Sequence, residues 1–163
     1  MKLYHGSLVV VDKPEIRKSD RFLDFGFGFY TTTSAAQAEE WSRKLRIRKN
    51  VETSYISEYE FDLEKAKREV KIIEFSGATR EWLQFVCDNR SGKCSEVYDV
   101  VIGPVADDNV YEVVRLYELG VYELNETIKR LKVESLFNQI LFHTEKALEF
   151  LHYRSFKEVR NGK

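Results

Sequence analysis

The sequence predicts one domain of the α+β class. At 163 residues, of which 43% are hydrophobic and 13% aromatic, the chain can bury one core but not two. Segments with strand-like and helix-like patterns follow one another irregularly, which favours α+β over a doubly wound sheet. The two prolines, Pro14 and Pro104, stand far apart, and neither lies in a Gly/Ser-rich linker. The domain is therefore expected to span residues 1–163, with the tail from about residue 155 a candidate for disorder.

The first half of the chain is expected to form four strands and one helix. KLYHGS reads as a short strand that runs into a turn, and the stretch after it, up to Asp20, as loop or short helix. Ser34 followed by Gln37 is a capping box, and apolar residues then recur at helical spacing. KIIEF is rich in residues that favour strands. The predicted elements are strands over 2–7, 24–33, 55–61 and 71–75 and a helix over 34–48.

The second half alternates helical patterns with two apolar runs. VYDVVIGPVA is almost purely apolar and β-branched, which is typical of a buried strand. Thr144 is placed to cap a last helix whose apolar positions are Ala147, Leu148 and Leu151. The predicted elements are helices over 79–89, 108–119 and 125–132, strands over 97–106 and 138–143, and the final helix from Thr144.

One stretch, DFGFGFYTTT (24–33), places Gly26 and Gly28 among four aromatic residues in a chain with only 8 glycines. Glycine permits positive φ and close approach of other atoms, while an aromatic ring at the end of a strand offers a flat face for stacking. Such a strand suits the wall of a pocket for a planar ring, and it also suits ordinary strand packing. The stretch matches neither a dinucleotide-binding fingerprint, nor a P-loop, nor a kinase signature.

Charge and cysteine content exclude several classes of protein. Lys and Arg number 26 against 27 Asp and Glu, a formal net charge of −1, so any contact with nucleic acid or an anionic membrane must be local. The N-terminus has the apolar length of neither a signal peptide nor a membrane span, so a cytoplasmic protein without membrane contact is expected. Cys87 and Cys94 fit neither a disulfide framework nor half of a zinc site, and are interpreted as unpaired thiols of a reducing compartment.

Three segments taken together resemble the signature strands of a known superfamily. YHGS (4–7), GFGFYTTTSAAQAEEW (26–41) and SLFNQILFHTEKALEFL (135–151) resemble, in order, those of the ADP-ribosyltransferase superfamily, and more narrowly of its poly(ADP-ribose) polymerase-like branch with a His-Tyr-Glu triad. YHGS, DFGFGFYTT, QAEEW, FVCDNR, YDVVIGPVADD and NQILFHTEKAL are similar to an uncharacterised bacterial family of that superfamily, domain of unknown function 3990. The resemblance implies two small antiparallel β-sheets flanked by helices, with an NAD cleft between them.

The resemblance also implies roles for individual residues. His5 matches the histidine that hydrogen-bonds the adenosine-side ribose of NAD, and Gly6 the glycine whose backbone holds the nicotinamide carboxamide. Tyr30 matches the triad tyrosine under the nicotinamide. Trp41 matches a second stacking aromatic, although it also lies on the apolar stripe of its helix, so core packing explains it equally well. The remaining cofactor-binding candidates are Gly28 at the turn beside the ligand, Ser7 and Thr32 in the pocket, and Arg90 against an NAD phosphate.

The main departure from the branch is Gln139, which stands where the triad has its glutamate. The glutamate orients the nicotinamide ribose and stabilises the positive charge that develops as the glycosidic bond breaks. Glutamine keeps the hydrogen bond but lacks the charge, so we expect transfer of single ADP-ribose units without chain elongation, with His5, Tyr30 and Gln139 as the catalytic residues. Glu134 and Glu145 are alternative sources of the missing charge, although acids near a strand end are usually just solvated.

The resemblance therefore implies an enzyme that transfers ADP-ribose from its co-substrate NAD to an unknown protein or nucleic-acid acceptor and releases nicotinamide. The alternative from a different class is a catalytically degenerate module that binds NAD or ADP-ribose in a regulatory complex. A third interpretation shares the chemistry of the first and makes the protein a bacterial toxin or a defence or counter-defence factor, with an antitoxin or regulatory protein as its partner.

Two further features lie outside the triad. No metal site is expected, because His143 and His152 belong to no HExxH or comparable ligand spacing. The run RKLRIRK (43–49) holds five cations and no acid. Such a run is usually a solvated helix face, but it could equally contact a phosphate-rich substrate or an acidic partner protein.

Overall fold

A computed structural model of the chain describes residues 1–17, 23–93, 97–104, 108–131 and 138–160. Within these ranges it has seven strands and six helices. The strands are β1 (Lys2–Ser7), β2 (Phe29–Thr32), β3 (Thr53–Phe61), β4 (Ile72–Glu74), β5 (Val100–Pro104), β6 (Asn138–Phe142) and β7 (Leu151–Arg160). The helices are α1 (Ala35–Lys49), α2 (Leu63–Glu69), α3 (Arg80–Arg90), α4 (Asp108–Glu118), α5 (Leu124–Leu131) and α6 (Glu145–Leu148).

The strands form one mixed sheet in the order β4-β5-β6-β2-β1-β3-β7. All neighbours are antiparallel except the parallel pair β4–β5. The predicted mixture of strands and helices is confirmed, but the described strands are joined in a single sheet and not in two separate ones. The join is narrow, because β1 and β2 share only the pair Tyr4↔Thr32, whereas the β1–β3 ladder runs from Lys2↔Glu60 to Ser7↔Tyr55.

Both faces of the sheet are buried around β5 and β6, because alternate side chains of these strands enter different hydrophobic clusters. Val100 and Ile102 lie in one cluster and Val101 in the other. On β6, Phe142 belongs to the first cluster and Leu141 to the second. Helices α3, α4 and α5 cover the second cluster, which explains why β5 reads as an uninterrupted apolar run.

Helix starts follow the capping residues that the sequence predicts. The Ser34 hydroxyl accepts a hydrogen bond from the Gln37 amide at 3.2 Å, and Thr144 accepts one from Ala147 at the same distance. Thr79 caps α3 in the same way, a role that the sequence analysis does not assign to it. At its far end α1 stops at Asn50, which takes the left-handed conformation with φ of 52°. Local chemistry therefore determines these boundaries.

The C-terminal prediction is wrong in two respects. The helix that begins after Thr144 ends at Leu148 and does not reach Leu151. From Leu151 the chain forms β7, which pairs with β3 as far as Thr53↔Arg160. The tail that was expected to be disordered from about residue 155 is therefore a strand as far as Arg160. A local sequence pattern cannot reveal that β7 pairs with a strand almost a hundred residues earlier. The short helix α2 was also not predicted. Residues 161–163 lie outside the described ranges.

Two other predicted strands are shorter than expected. In the stretch 24–33 only Phe29–Thr32 is a strand, because the residues before it form a turn. The run 97–106 begins its strand at Val100. The described part of the chain leaves out the last two residues of this run and the final residue of the helix predicted over 125–132. It also leaves out Cys94 and Glu134.

Among the residues described, no helix is both long enough and apolar enough to cross a membrane.

Candidate functional site

A cavity of about 1700 Å³ opens beside the narrow join between β1 and β2. Beyond Tyr4↔Thr32 the two strands no longer pair, and residues of β1, β2, β6, α1 and α3 line the space together with residues that follow β1. All nine residues that the sequence analysis assigned to catalysis or to NAD binding line this cavity: His5, Gly6, Ser7, Gly28, Tyr30, Thr32, Trp41, Arg90 and Gln139.

His5, Tyr30 and Gln139 come from three neighbouring strands. Nδ1 of His5 lies 2.7 Å from the backbone oxygen of Tyr30, so the imidazole bridges the gap where β1 and β2 separate. Gln139 stands opposite Thr32 in the β2–β6 ladder, two residues along from Tyr30. Three segments distant in the chain thus converge on one cavity wall.

The environment of His5 favours the neutral imidazole. Burial lowers the pKa of His5, the hydrogen bond to Tyr30 raises it, and the nearby charge of Arg17 lowers it further, with a net lowering from 6.5. Because a carbonyl oxygen only accepts, Nδ1 carries the proton and donates. In the neutral ring Nε2 is then an acceptor. Such a ring can accept a hydrogen bond from a ligand hydroxyl.

The phenol of Tyr30 is committed to the fold. Its hydroxyl donates to the backbone oxygen of Gly26 at 2.6 Å. Burial, the largest influence, raises the pKa of Tyr30 far above 10. The group therefore stays protonated at neutral pH and does not act as a base. Its ring packs against the second hydrophobic cluster and also lines the cavity, so what Tyr30 offers a ligand is a flat wall.

The two glycines of the 24–33 stretch are required by the backbone. Gly28 has φ of +149°, and a Cβ there would lie 2.2 Å from the backbone oxygen of Phe142 on β6. Gly26 has φ of +90°, and its carbonyl receives the Tyr30 hydroxyl. These glycines let a tight turn lie directly on β6 before β2 begins. Both glycines are therefore accounted for by the backbone of the turn itself, without a ligand.

Gly6 is explained by a different contact. A Cβ at Gly6 would lie 2.1 Å from the backbone oxygen of Ala38, so the residue lets α1 approach β1 closely. The residue is buried and still lines the cavity. Its expected role in holding a carboxamide remains a prediction.

The hydroxyl side chains near the cavity mostly bind local backbone. Ser7 donates to the backbone oxygen of Val9, as residues near turns often do. Thr32 is 7% exposed, and its hydroxyl contacts Gln37 Oε1 and the Asn138 backbone oxygen while accepting from the Ser34 amide. Ser7 is therefore a weak ligand-binding candidate, whereas Thr32 lies at the centre of a polar wall.

Trp41 projects from α1 at the cavity rim. The side chain is 51% exposed and belongs to neither hydrophobic cluster, so the core-packing explanation is wrong for this residue. Val9, Leu23 and Tyr111 also line the cavity and are 61%, 36% and 52% exposed. Large apolar groups at the mouth of a cavity mark a surface that binds ligands or partners.

Arg90 lies in a fixed position on the α3 side of the cavity. Its Nε donates to Asp24 at 2.7 Å, and its guanidinium stacks on the Tyr111 ring at 4.6 Å. Only 11% of the side chain is exposed. Its charge therefore supports the turn at Asp24, and the expected contact with a ligand phosphate remains a prediction.

Gln139 differs from its neighbours because its amide is unsatisfied. The residue is 7% exposed, and its buried Nε2 has no hydrogen-bond partner among the residues described. A buried donor without a partner costs about 1–3 kcal/mol and is rare in folded proteins. Since the side chain also lines the cavity, a ligand oxygen is the natural partner for this atom.

The sequence interpretation missed Gln37 as a cavity residue. Gln37 was recognised only as part of a capping box, yet it lines the cavity and contacts Thr32. It stands four residues before Trp41, on the same face of α1, and this spacing is the signal that could have identified it. Asp24 and Tyr111, the partners of Arg90, were also missed, and they have no local pattern.

The remaining sequence candidates have structural partners. His143 hydrogen-bonds the backbone of Phe25 and Phe27, and burial lowers its pKa. Glu145 accepts from the Ile16 amide at 3.4 Å. Burial raises the pKa of Cys87 to about 12, so its thiol stays protonated. In the described ranges, no group of three or more His, Cys, Asp or Glu side chains is arranged to hold a metal ion.

Comparison with known proteins identifies a family but no activity. Curated proteins gave no match to this chain. A family model described as a protein of unknown function (DUF3990) matches residues 1–153, which is nearly the whole chain. The protein therefore belongs to the DUF3990 family.

Proposed function

We propose that this protein transfers a single ADP-ribose unit from NAD to a macromolecular acceptor and releases nicotinamide. The observation that carries the proposal is the convergence of His5, Tyr30 and Gln139, from three neighbouring strands, on one cavity. The separation of β1 from β2 corresponds in this proposal to the cleft between the two sheets of an ADP-ribosyltransferase.

Each residue then has a role that suits its chemistry. Neutral His5 accepts a hydrogen bond from a ribose hydroxyl through Nε2. Gly6 pairs with Ile56 of β3 but lies beyond the last pair with β2 and lines the cavity, so in this proposal its backbone binds the carboxamide on that side. The Tyr30 ring is one wall for nicotinamide, and the exposed Trp41 ring is a second stacking surface at the rim.

In the proposed reaction the bond between ribose C1′ and the nicotinamide nitrogen breaks, and its electron pair leaves with nicotinamide. A new bond forms between C1′ and the acceptor. Gln139 orients the ribose through its amide but brings no negative charge to the developing positive charge on the sugar. The reaction is therefore slower than with a glutamate at this position, and a Q139E variant is expected to transfer faster.

The test is incubation with NAD labelled in its adenylate phosphate, together with lysate, comparing wild type, H5A and Q139E. Transfer by the wild type that is lost in H5A and raised in Q139E is the expected result. Absence of label on any macromolecule from wild type and Q139E alike would contradict the enzyme proposal.

One observation favours a second function. The glutamine that replaces the glutamate also suits a module that binds NAD or ADP-ribose without turnover. Calorimetric binding of NAD with no nicotinamide release, in wild type and in Q139E, would support the module.

A toxin role shares the chemistry of the first proposal. It is tested by growth arrest on induction in bacteria that is relieved by H5A. Growth arrest that persists in H5A would exclude transfer as its cause.

A further inference from the structure

Two amide groups flank Thr32 on the cavity wall. Gln139 stands opposite Thr32 in the strand ladder, and its Nε2 has no partner among the described residues. On the other side, the Thr32 hydroxyl contacts Oε1 of Gln37. Because that oxygen is engaged, the NH₂ end of Gln37 is the end that can reach a ligand. The wall therefore presents hydrogen-bond donors on both sides of one threonine.

Such a wall suits an acceptor that already carries a negative charge. Gln37, Thr32 and Gln139 are all uncharged, so none of them can take a proton from an amine or an alcohol as it attacks. A phosphate monoester oxygen needs no deprotonation. It forms a bond to ribose C1′ as the C1′–nitrogen bond breaks, and the electron pair of that bond neutralises the pyridinium nitrogen of nicotinamide. Atoms and charge balance without a general base.

A single line of side chains leads outward from this wall along α1. Gln37, Trp41, Lys44 and Arg48 follow one another at spacings of four, three and four residues, so they share one face of the helix. Trp41 lies about 6 Å beyond Gln37 along the axis, and Arg48 about 10 Å beyond Trp41. The order from the cavity outward is therefore an amide, an exposed aromatic ring, a lysine paired with Glu40, and Arg48. This is the composition of surfaces that bind single-stranded nucleic acid by stacking and phosphate contacts.

The acids near this line already have cationic partners. Glu40 pairs with Lys44 at 3.2 Å, and Glu39 with Lys157 at 3.0 Å. Arg48 is exposed near the end of the helix. The cavity volume of about 1700 Å³ also exceeds the roughly 300–1,000 Å³ of a site for one small ligand. There is room for a strand end beside a dinucleotide.

We propose that the acceptor is the terminal phosphate of a single-stranded nucleic acid, held by Gln37 and by the second N–H of the Gln139 amide while a base stacks on Trp41 and the backbone follows Arg48. In this arrangement the Trp41 ring serves the acceptor, and Tyr30 alone forms the wall for nicotinamide. The inference rests on the proposed transfer from NAD. It assigns a role to one face of the basic run 43–49, the face of Lys44 and Arg48; the sequence left the run open between a solvated face, a phosphate-rich substrate and an acidic partner.

Strand binding is measured first without NAD, by fluorescence anisotropy with single-stranded oligonucleotides bearing a 5′-phosphate, a 3′-phosphate or neither. A terminal phosphate at one end should tighten binding about tenfold or more, because hydrogen bonds to a charged group are strong. W41A should weaken binding about tenfold, and R48E should weaken it and reduce its salt dependence. The matched control is R43E, an exposed cation of α1 that lies off this line, which should bind like wild type. Equal binding of the three strands, or equal loss in R43E and R48E, overturns the proposal.

Transfer is then measured with labelled NAD and the same strands, with nicotinamide release followed in parallel. Label on the phosphorylated strand, absent from the unphosphorylated one and lost in Q37L, is the expected result. Nicotinamide release with label only on protein carboxylates overturns the nucleic-acid acceptor while the transferase proposal stands. Phosphate-dependent strand binding without any nicotinamide release instead contradicts the transferase proposal and leaves the strand site supported.

Discussion

The two sides of the cavity differ in how their polar groups are satisfied. At the turn before β2, the Tyr30 phenol, the Arg90 guanidinium and the His143 imidazole all bind groups of the turn. On the other side lies the wall formed by Gln37, Thr32 and Gln139, called here the amide wall. Gln139 buries an NH₂ group there that has no partner in the described ranges. A polar group with an internal partner stabilises the fold, whereas a buried donor without one costs free energy that a ligand can recover. The turn is therefore interpreted as architecture and the amide wall as the binding surface.

Breaking the turn should have the largest effect. G28A places a Cβ against the Phe142 backbone oxygen at a φ that side chains rarely adopt. We expect a loss of about 3 kcal/mol or more in the free energy of unfolding, from overpacking and backbone strain together. Chemical denaturation measures it. G77A, where a Cβ meets nothing within 4 Å, is the control, and equal stability of the two variants would contradict the assignment.

Removing the charge that supports the turn should have the next largest effect. R90M leaves the partly buried Asp24 carboxylate unpaired, and we expect a loss of about 2 kcal/mol. The double variant R90M/D24N should recover part of it, as a double-mutant cycle will show. R160M removes a pair whose arginine is 74% exposed and should leave stability close to that of wild type. Additive losses in the cycle would mean that the pair is not coupled.

The amide wall should show the opposite relation between stability and binding. Q139L removes a buried donor that lacks a partner, so stability should stay within about 1 kcal/mol of wild type or rise. NAD binding, measured by calorimetry, should fall together with transfer. Q139E buries a charge and should be the less stable of the two variants. If Q139L is destabilised as strongly as R90M, the amide is satisfied within the fold.

The least pronounced effect is expected in the dependence of stability on pH. The folded protein holds His5 and His143 with pKa values below 6.5, so below that pH the unfolded chain binds more protons. Stability should therefore decrease as pH falls from 7.5 to 5.5, a range in which most carboxylates stay ionised. H143Q should flatten this slope, measured by denaturant unfolding at each pH. The control is H152Q on β7, and an unchanged slope in H143Q would contradict the assignment.

The extent of sequence prediction follows the range of the interactions involved. Ser34 and Thr144 were predicted as helix caps because each bonds to an amide three residues away. The buried strand β5 was predicted because a strand covered on both faces needs apolar residues throughout. By contrast, β7 is a strand because it pairs with β3, which lies almost a hundred residues earlier in the chain. The local pattern continues helical spacing to Leu151 and gives no sign of this pairing.

The candidate site shows the same division. Motif order and spacing were enough to select nine residues that all line one cavity. The pattern did not reveal that the glycines serve backbone contacts, that Arg90 is bound to Asp24, or that Trp41 is exposed. Each of these depends on which distant segment lies opposite.

By itself the sequence determined the caps at Ser34 and Thr144 and the apolar runs, since these are set by interactions within a few positions of the chain, and motif resemblance selected nine of the residues at the cavity. Only the tertiary structure decided that one continuous sheet forms, that β1 and β2 separate after a single pair, and that the Gln139 amide is buried without a partner among the described residues. The physical reason is that strand pairing and desolvation depend on segments brought together by folding.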